Sequence, residues 1–198
     1  MEKNNKIFTK RHGGLLVKLA RKTLMDKFNN KLPDKELIEL ETALKDPVFK
    51  QPRGTFVTLT IDGQLRGCIG TLNPSESALE GVRRNAINAA FNDFRFNKLS
   101  PYELDRVNIE VSILTEPEPL IYKDKDDLIS RLRVNIDGVI IKKGSASATF
   151  LPQVWKQLSN PEDFLSHLCS KAGLESDIWK KDKLEVMTYQ VQYFEEEK

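Results

Sequence analysis

Leu65-Arg66-Gly67-Cys68-Ile69-Gly70-Thr71 puts a nucleophile, a cation and two glycines into seven positions. A cysteine beside an arginine suits two chemistries. A nearby cation can raise the thiolate fraction of a nucleophilic cysteine, or the guanidinium can pair with a bound anion. Glycine inside a strand pattern marks a bulge or a close approach by another backbone or a ligand. Cys68 is therefore the catalytic candidate, and Arg66, Gly67, Gly70 and Thr71 are candidate binding residues. A base to activate the thiol is not evident. The two histidines are His12, near the N-terminus, and His167, which points away from the Phe164/Leu168/Ala172 stripe of its helix. The residues alone favour Cys68 as a small buried hydrophobe beside a structural arginine.

The elements that must position these groups can be read from the flanking pattern. Gly54 to Ile61 is rich in β-branched and aromatic residues, and Asp62-Gly63 follows it, the signal for a type I′ hairpin turn. A regular ladder from that turn pairs Leu59 with Arg66, Val57 with Cys68 and Thr55 with Gly70. Alternation then puts Arg66 and Cys68 on one face with Val57 and Leu59, their Cα atoms roughly 7 Å apart, and Phe56, Leu65 and Ile69 on the other. On that register the Arg66 guanidinium is within reach of the sulfur or of a bound anion. Asn73-Pro74-Ser75-Glu76 reads as a helix start. Leu79, Val82, Ala86, Ala89 and Ala90 form a narrow stripe of small apolar residues. Asn85, Asn88 and Asn92 lie on another side, with Asn85 a candidate for a polar site.

Asp93-Phe94-Arg95-Phe96 ends this helix, and Ser100-Pro101-Tyr102-Glu103 repeats the cap-Pro-x-Glu start for a short turn. Val107 to Ile113 alternates as a half-buried strand, which Glu116-Pro117-Glu118-Pro119 stops. A short helix over Asp126 to Leu132 precedes a second hairpin with its turn at Lys143-Gly144-Ser145. Pro152 opens a helical segment after it, as Pro74 does after the first. Hairpin, proline, helix thus occurs twice, a weak duplication. Asn160-Pro161 starts a helix with Phe164, Leu165, Leu168, Cys169 and Ala172 inward and Gly173 as its stop. Leu184 to Phe194 reads as one closing strand followed by an acidic tail.

At 198 residues, 39% hydrophobic and 30% charged, the sequence has the balance of a globular protein with one sizeable core or two joined subdomains. A formal net charge of +2 does not call for a nucleic-acid partner. No apolar run approaches the ~20 residues of a membrane span, and the N-terminus lacks a signal-peptide core, so no membrane contact is expected. Two cysteines outside any CxxC pair suggest reducing cytoplasm and no disulfide framework. No His, Cys or acidic cluster has metal spacing, and Walker, GxGxxG and GxSxG motifs are missing, so no metal and no cofactor are expected. Residues 1–31 hold nine Lys/Arg against two acids, on what reads as an amphipathic helix through Leu16, Leu19, Ala20, Leu24 and Phe28. A solvated basic face is the favoured reading there, with RNA contact the alternative.

Taken together, the Leu65–Thr71 motif, Asn85-Ala86, Asp93-Phe94-Arg95-Phe96, Ile109-Glu110-Val111-Ser112-Ile113-Leu114-Thr115, Ala148-Thr149-Phe150-Leu151-Pro152-Gln153-Val154-Trp155 and the run from Phe164-Leu165 through Lys171-Ala172-Gly173-Leu174 resemble the AMMECR domain family. That family is named from a chromosomal region associated with Alport syndrome, midface hypoplasia and elliptocytosis. The matches run in order from about Gly54 to Trp179. The resemblance implies an α+β fold of two related hairpin–helix repeats around one curved, barrel-like antiparallel sheet with flanking helices. It implies a single domain over residues 1–198, with a larger and a smaller subdomain joined near 115–125. It brings no settled biochemical activity and carries over only the motif position of Arg66 and Cys68. Microbial relatives resemble one member of a set that includes a Memo-like protein and a radical S-adenosylmethionine protein.

Three functions compete. The first is a cytosolic accessory protein whose cleft at Leu65–Thr71 holds a peptide or small ligand. There Gly67 and Gly70 permit backbone approach, Arg66 pairs with an anion, and Thr71, Asn85 and Gln153 complete the candidate binding set; a protein partner follows from this. The second is an enzyme that modifies RNA or a metabolite through Cys68. The third is an RNA-binding factor working through the basic N-terminal helix. Lack of a candidate base and of a cofactor motif puts the first ahead.

Overall fold

A computed structural model describes residues 8–197; the start of the basic segment, including Lys3 and Lys6, lies outside the described residues. The described residues form two compact units, one running up to Leu114 and including Gln192 onward, the other spanning Thr115–Val191.

In the first unit, α1 (Lys10–Lys27) starts at a capping box in which Thr9 accepts from the His12 N–H and the His12 ring accepts from the Thr9 N–H. Its inward face is Leu16, Val17, Leu19, Ala20 and Leu24. Helix α2 (Asp34–Ala43) and a 3-10 turn (Pro47–Lys50) follow. Strands β1 (Thr55–Ile61) and β2 (Gln64–Thr71) form the first hairpin, with positive φ at both Asp62 and Gly63 as a type I′ turn requires. Helix α3 (Ala78–Phe91) begins four residues later than the sequence pattern predicts. Ser77 caps it in a box with Glu80, and residues 73–76 are irregular ahead of an isolated bridge between Pro52 and Ser77. Of the predicted stripe, Val82, Ala86, Ala89 and Ala90 are buried and Leu79 is half-buried; Ala78 and Gly81 are buried with them, and α3 lies close against β1 and β2.

The turn Pro101–Glu103 leads into β3 (Val107–Leu114), which pairs antiparallel with β1. The C-terminal strand β8 (Val191–Glu195) completes a sheet of order β2-β1-β3-β8. Val57, Leu59, Ile109, Val111 and Ile113 bury one face of it beneath α1 and α3.

The second unit has its own sheet. It comprises β4 (Glu118–Pro119), β5 (Gly138–Lys143), β6 (Ala146–Phe150) and β7 (Glu185–Tyr189) in the order β4-β7-β5-β6, with α4 (Lys125–Arg131), α5 (Pro161–Lys171) and α6 (Ile178–Lys181) beside it. Its core gathers around Trp155, stacked 3.6 Å from Phe164, with Leu128, Ile141, Leu165, Leu168 and Cys169. Pro152–Lys156 is a 3-10 turn in which Trp155 donates to the Asp137 carbonyl.

The α+β class stands. The single barrel-like sheet does not: the two hairpins lie in separate four-stranded antiparallel sheets, and no barrel closes. The predicted strand Leu184–Phe194 is split at Gln190, so that β7 belongs to one sheet and β8 to the other. Each sheet nonetheless repeats one order, with the hairpin's return strand at the edge, its first strand next and a later antiparallel strand third. The duplication is thus one of sheets rather than of halves of a sheet.

Candidate functional site

The register of the first hairpin decides the site. Ile61 pairs with Gln64 and Thr60 with Leu65, but Leu59 pairs with Gly67, so Arg66 is the extra residue of a β-bulge. Beyond the bulge every side chain of β2 changes face. Cys68 aligns with Thr58 and shares its face with Phe56 and Gly70, while Ile69 turns inward with Val57 and Leu59. The expectation that Arg66 and Cys68 share a face with Val57 and Leu59 is therefore overturned. The physical reason lies at Gly67, which the bulge places beneath α3. A Cβ there would collide with the Ala89 carbonyl oxygen, so only glycine lets the helix backbone lie so close.

Cys68 is half-buried rather than buried. Its sulfur accepts from Thr58 Oγ1 at 3.4 Å. Neither histidine serves it: His12 caps α1, and His167 Nδ1 lies 2.9 Å from the Asp163 carbonyl. Cys169 sits in the second core, where burial pushes its thiol up.

Strand β2 is an edge, and the segment after α3 folds back over it. Asp93 Oδ2 accepts the Cys68 N–H at 2.9 Å, and Arg95 Nη2 donates to the Cys68 carbonyl at 3.2 Å. Arg95 also grips Asp93 with two guanidinium hydrogen bonds, of 2.9 and 2.7 Å, and one from its backbone N–H at 3.2 Å. The Asp93 side chain is only 1% exposed. The Arg95 guanidinium holds this carboxyl well below the usual carboxylate range, against the opposing effect of burial. The Arg66 side chain turns away from the sulfur to Glu103, with Nε 2.8 Å from Oε1 and Nη2 3.2 Å from Oε2, and Nη2 reaches the Lys98 carbonyl at 3.3 Å. Glu103 also accepts from the Ser100 N–H and hydroxyl, both at 2.9 Å. Arg66 first, then these Ser100 bonds, lower its carboxyl to about 2.

Between these two ion pairs opens a groove of about 530 Å³, lined by Arg66, Arg95 to Lys98, Ser100 and Glu103. Arg66 is balanced by Glu103 and Arg95 by Asp93, which leaves the ammonium of Lys98 in excess. Arg66 keeps Nη1 out of water and without an acceptor. A buried charged donor with no partner is costly.

The remaining candidates lie elsewhere. Asn85 is 1% exposed and donates to the Thr55 carbonyl and hydroxyl at 3.0 and 2.9 Å, so its amide is spent tying α3 to β1. Gly70 lies beneath the Phe56 ring, and Thr71 accepts from the Asn73 N–H. Gln153 is exposed on the 3-10 turn of the second unit. Asp93, Arg95, Lys98 and Glu103 were not in the candidate set, although two of their motifs were visible as a helix end and a capping box. Among the described residues no group of three His, Cys, Asp or Glu is placed to hold a metal, and no helix is long and apolar enough to cross a membrane.

Fold and groove together define an α+β protein of two like-ordered antiparallel sheets with a mildly cationic groove at the edge of the first. The model of the AMMECR1 family matches residues 17–194, and the chain belongs to that family. A protein of Methanothermobacter thermautotrophicus is 40% identical over 190 residues, covering 93% of this chain and 94% of the relative. Protein Mbar_A1807 of Methanosarcina barkeri is 40% identical over 186 residues, covering 93% and 90%. The crystal structure of the uncharacterized protein PH0010 from Pyrococcus horikoshii superposes with a TM-score of 0.76 at 32% identity, covering 96% of this chain and 94% of that one.

Proposed function

We propose that the protein is a binding module whose groove beside Arg66 takes a ligand bearing an anionic group. The observation that carries this is Arg66 itself: a guanidinium fixed in place by Glu103 and lining a groove with a surplus ammonium. A fixed cation of this kind binds an anion with little loss of side-chain freedom. The cysteine chemistry has no such support, since Arg66 does not reach the sulfur and neither histidine serves it as a base. Polyanion binding by the basic helix is also disfavoured. Arg21 is engaged by Glu196 and by the Leu104 and Val107 carbonyls, Lys10 pairs with Glu197, and Lys22 with Asp26. A cytoplasmic accessory role beside a Memo-like protein and a radical S-adenosylmethionine protein belongs to this reading and rests on the family resemblance alone.

The test is an NMR titration of the full-length protein with phenylacetate. Saturable shifts of the Arg66, Lys98 and Ser100 amides are expected, lost in Arg66→Gln and Lys98→Glu and kept in Cys68→Ala. Shifts that follow Cys68 and ignore Arg66 would overturn the reading.

A further inference from the structure

Two aromatic side chains that adjoin groove-lining residues in the chain stand in water. Phe94 is 95% exposed and Tyr102 92% exposed. Exposed apolar residues scattered singly need no explanation, but each of these two precedes a groove-lining residue, Arg95 and Glu103. Phe94 sits between Asp93 and Arg95, whose side chains clasp Cys68. Tyr102 sits in the Pro101–Glu103 turn, whose Glu103 is fixed by Ser100 and Arg66. Both rings are therefore displayed from backbone that ion pairs hold in place, next to residues that line the groove. A ring presented on a rigid support loses little freedom when a partner covers it, which is why aromatic residues anchor binding surfaces.

The charge at the groove narrows the partner. Its cations are compensated down to one, because Arg66 faces Glu103 and Arg95 faces Asp93, leaving Lys98. A nucleic-acid strand carries a phosphate at every nucleotide and is held by a track of uncompensated cations. The carboxylates of Asp93 and Glu103 work against such a strand, whereas a single carboxylate matches a surplus of one. We propose, resting on the reading of the groove as an anion site, that its occupant is a peptide segment. One carboxylate of the segment pairs with Arg66 and Lys98, and flanking apolar side chains pack on Phe94 and Tyr102. That carboxylate comes either from an Asp/Glu residue or from the free C-terminus of the peptide; the chemistry is the same and the experiment separates them.

The test uses the full-length protein on an array of hexapeptides, each with one Glu between two apolar residues. Each is also present with Gln for Glu, and with a free or an amidated C-terminus. Labelled oligouridylate serves as the competing ligand. Binding of Glu peptides with aromatic or leucine flanks is expected, weakened about tenfold by Gln or, for the C-terminal source, by amidation. Phe94→Ser and Tyr102→Ser should each weaken it about fivefold with melting unchanged, since neither ring is buried. Absence of peptide binding, or peptide binding indifferent both to Gln for Glu and to the two ring substitutions, while phenylacetate still binds through Arg66 and Lys98, would overturn the peptide inference and leave the anion site standing. Loss of the phenylacetate response as well would overturn both. Oligouridylate bound more tightly than every peptide, with affinity falling steeply in salt, would replace the peptide with a nucleic acid.

Discussion

At Gly67 one missing Cβ determines how closely a helix packs on a strand, because the Ala89 carbonyl occupies that space. Gly67→Ala forces backbone to yield against backbone, and the expected loss is about 2 kcal/mol or more in urea denaturation. Gly63→Ala is the control: its φ of +78° lies in the left-handed region but open space surrounds it, so about 1 kcal/mol is expected. Equal costs at the two sites would show that close approach is not what fixes Gly67. Cys68 is the second residue whose role the bulge changes. Half-buried and already hydrogen-bonded by the Thr58 hydroxyl, it should tolerate both Ser and Ala within about 1 kcal/mol, as Ser can accept the same bond. Its alkylation rate should change less than about twofold in Arg66→Gln, because that guanidinium is held by Glu103 and not by the sulfur. A rate that collapses without Arg66 would restore the thiol to the centre of the function.

At the scale of elements, an edge strand is protected by a clasp. Cys68 presents its N–H and C=O away from β1, and Asp93 and Arg95 take both. Open edges invite pairing with other proteins; here the loop after α3 closes this one. Asp93→Asn should keep a bond to the Cys68 N–H but lose the ion pair with Arg95, at about 2 kcal/mol. Hydrogen exchange should quicken at the Cys68 amide and stay slow at amides paired with β1; uniform quickening along β2 would refute a local clasp. The elements themselves were legible in the sequence because their signals are local. Asp62-Gly63 dictates a turn, and Ser100 and Glu103 a capping box, whatever the remaining residues do. The bulge was not legible, since counting back from a two-residue turn gives the register only of an uninterrupted ladder. The partners of β2 lie 25 and 37 residues away, at Asp93 and Glu103, and no local pattern announces a pairing at that range. The split at Gln190 was hidden for a different reason: alternation runs on through it, although the strand changes sheets.

At the scale of the molecule, the two units should differ in their sensitivity to acid. In the first, Asp93 and Glu103 have carboxyls lowered in the folded state, Glu103 from 4.5 to about 2. A group whose folded value is lowered contributes stability that is fully present above its unfolded value and is lost as pH falls through the folded one. Both contributions are thus intact at neutral pH and fade from about pH 5 downward. The second unit also has lowered carboxyls, at Asp127, Glu162, Asp177 and Asp182, but these are surface groups whose pairs solvent screens, so they contribute little. Both tryptophans, Trp155 and Trp179, lie in the second core, so their fluorescence reports on that unit alone. On acid titration, far-UV circular dichroism should therefore begin to fall at higher pH than tryptophan fluorescence changes. Arg66→Gln should widen the gap, because Glu103 without its guanidinium titrates nearer 4.5 and releases its contribution sooner. Coincident transitions in the wild type, unmoved by Arg66→Gln, would mean that the two ion pairs at the groove do not set the acid limit.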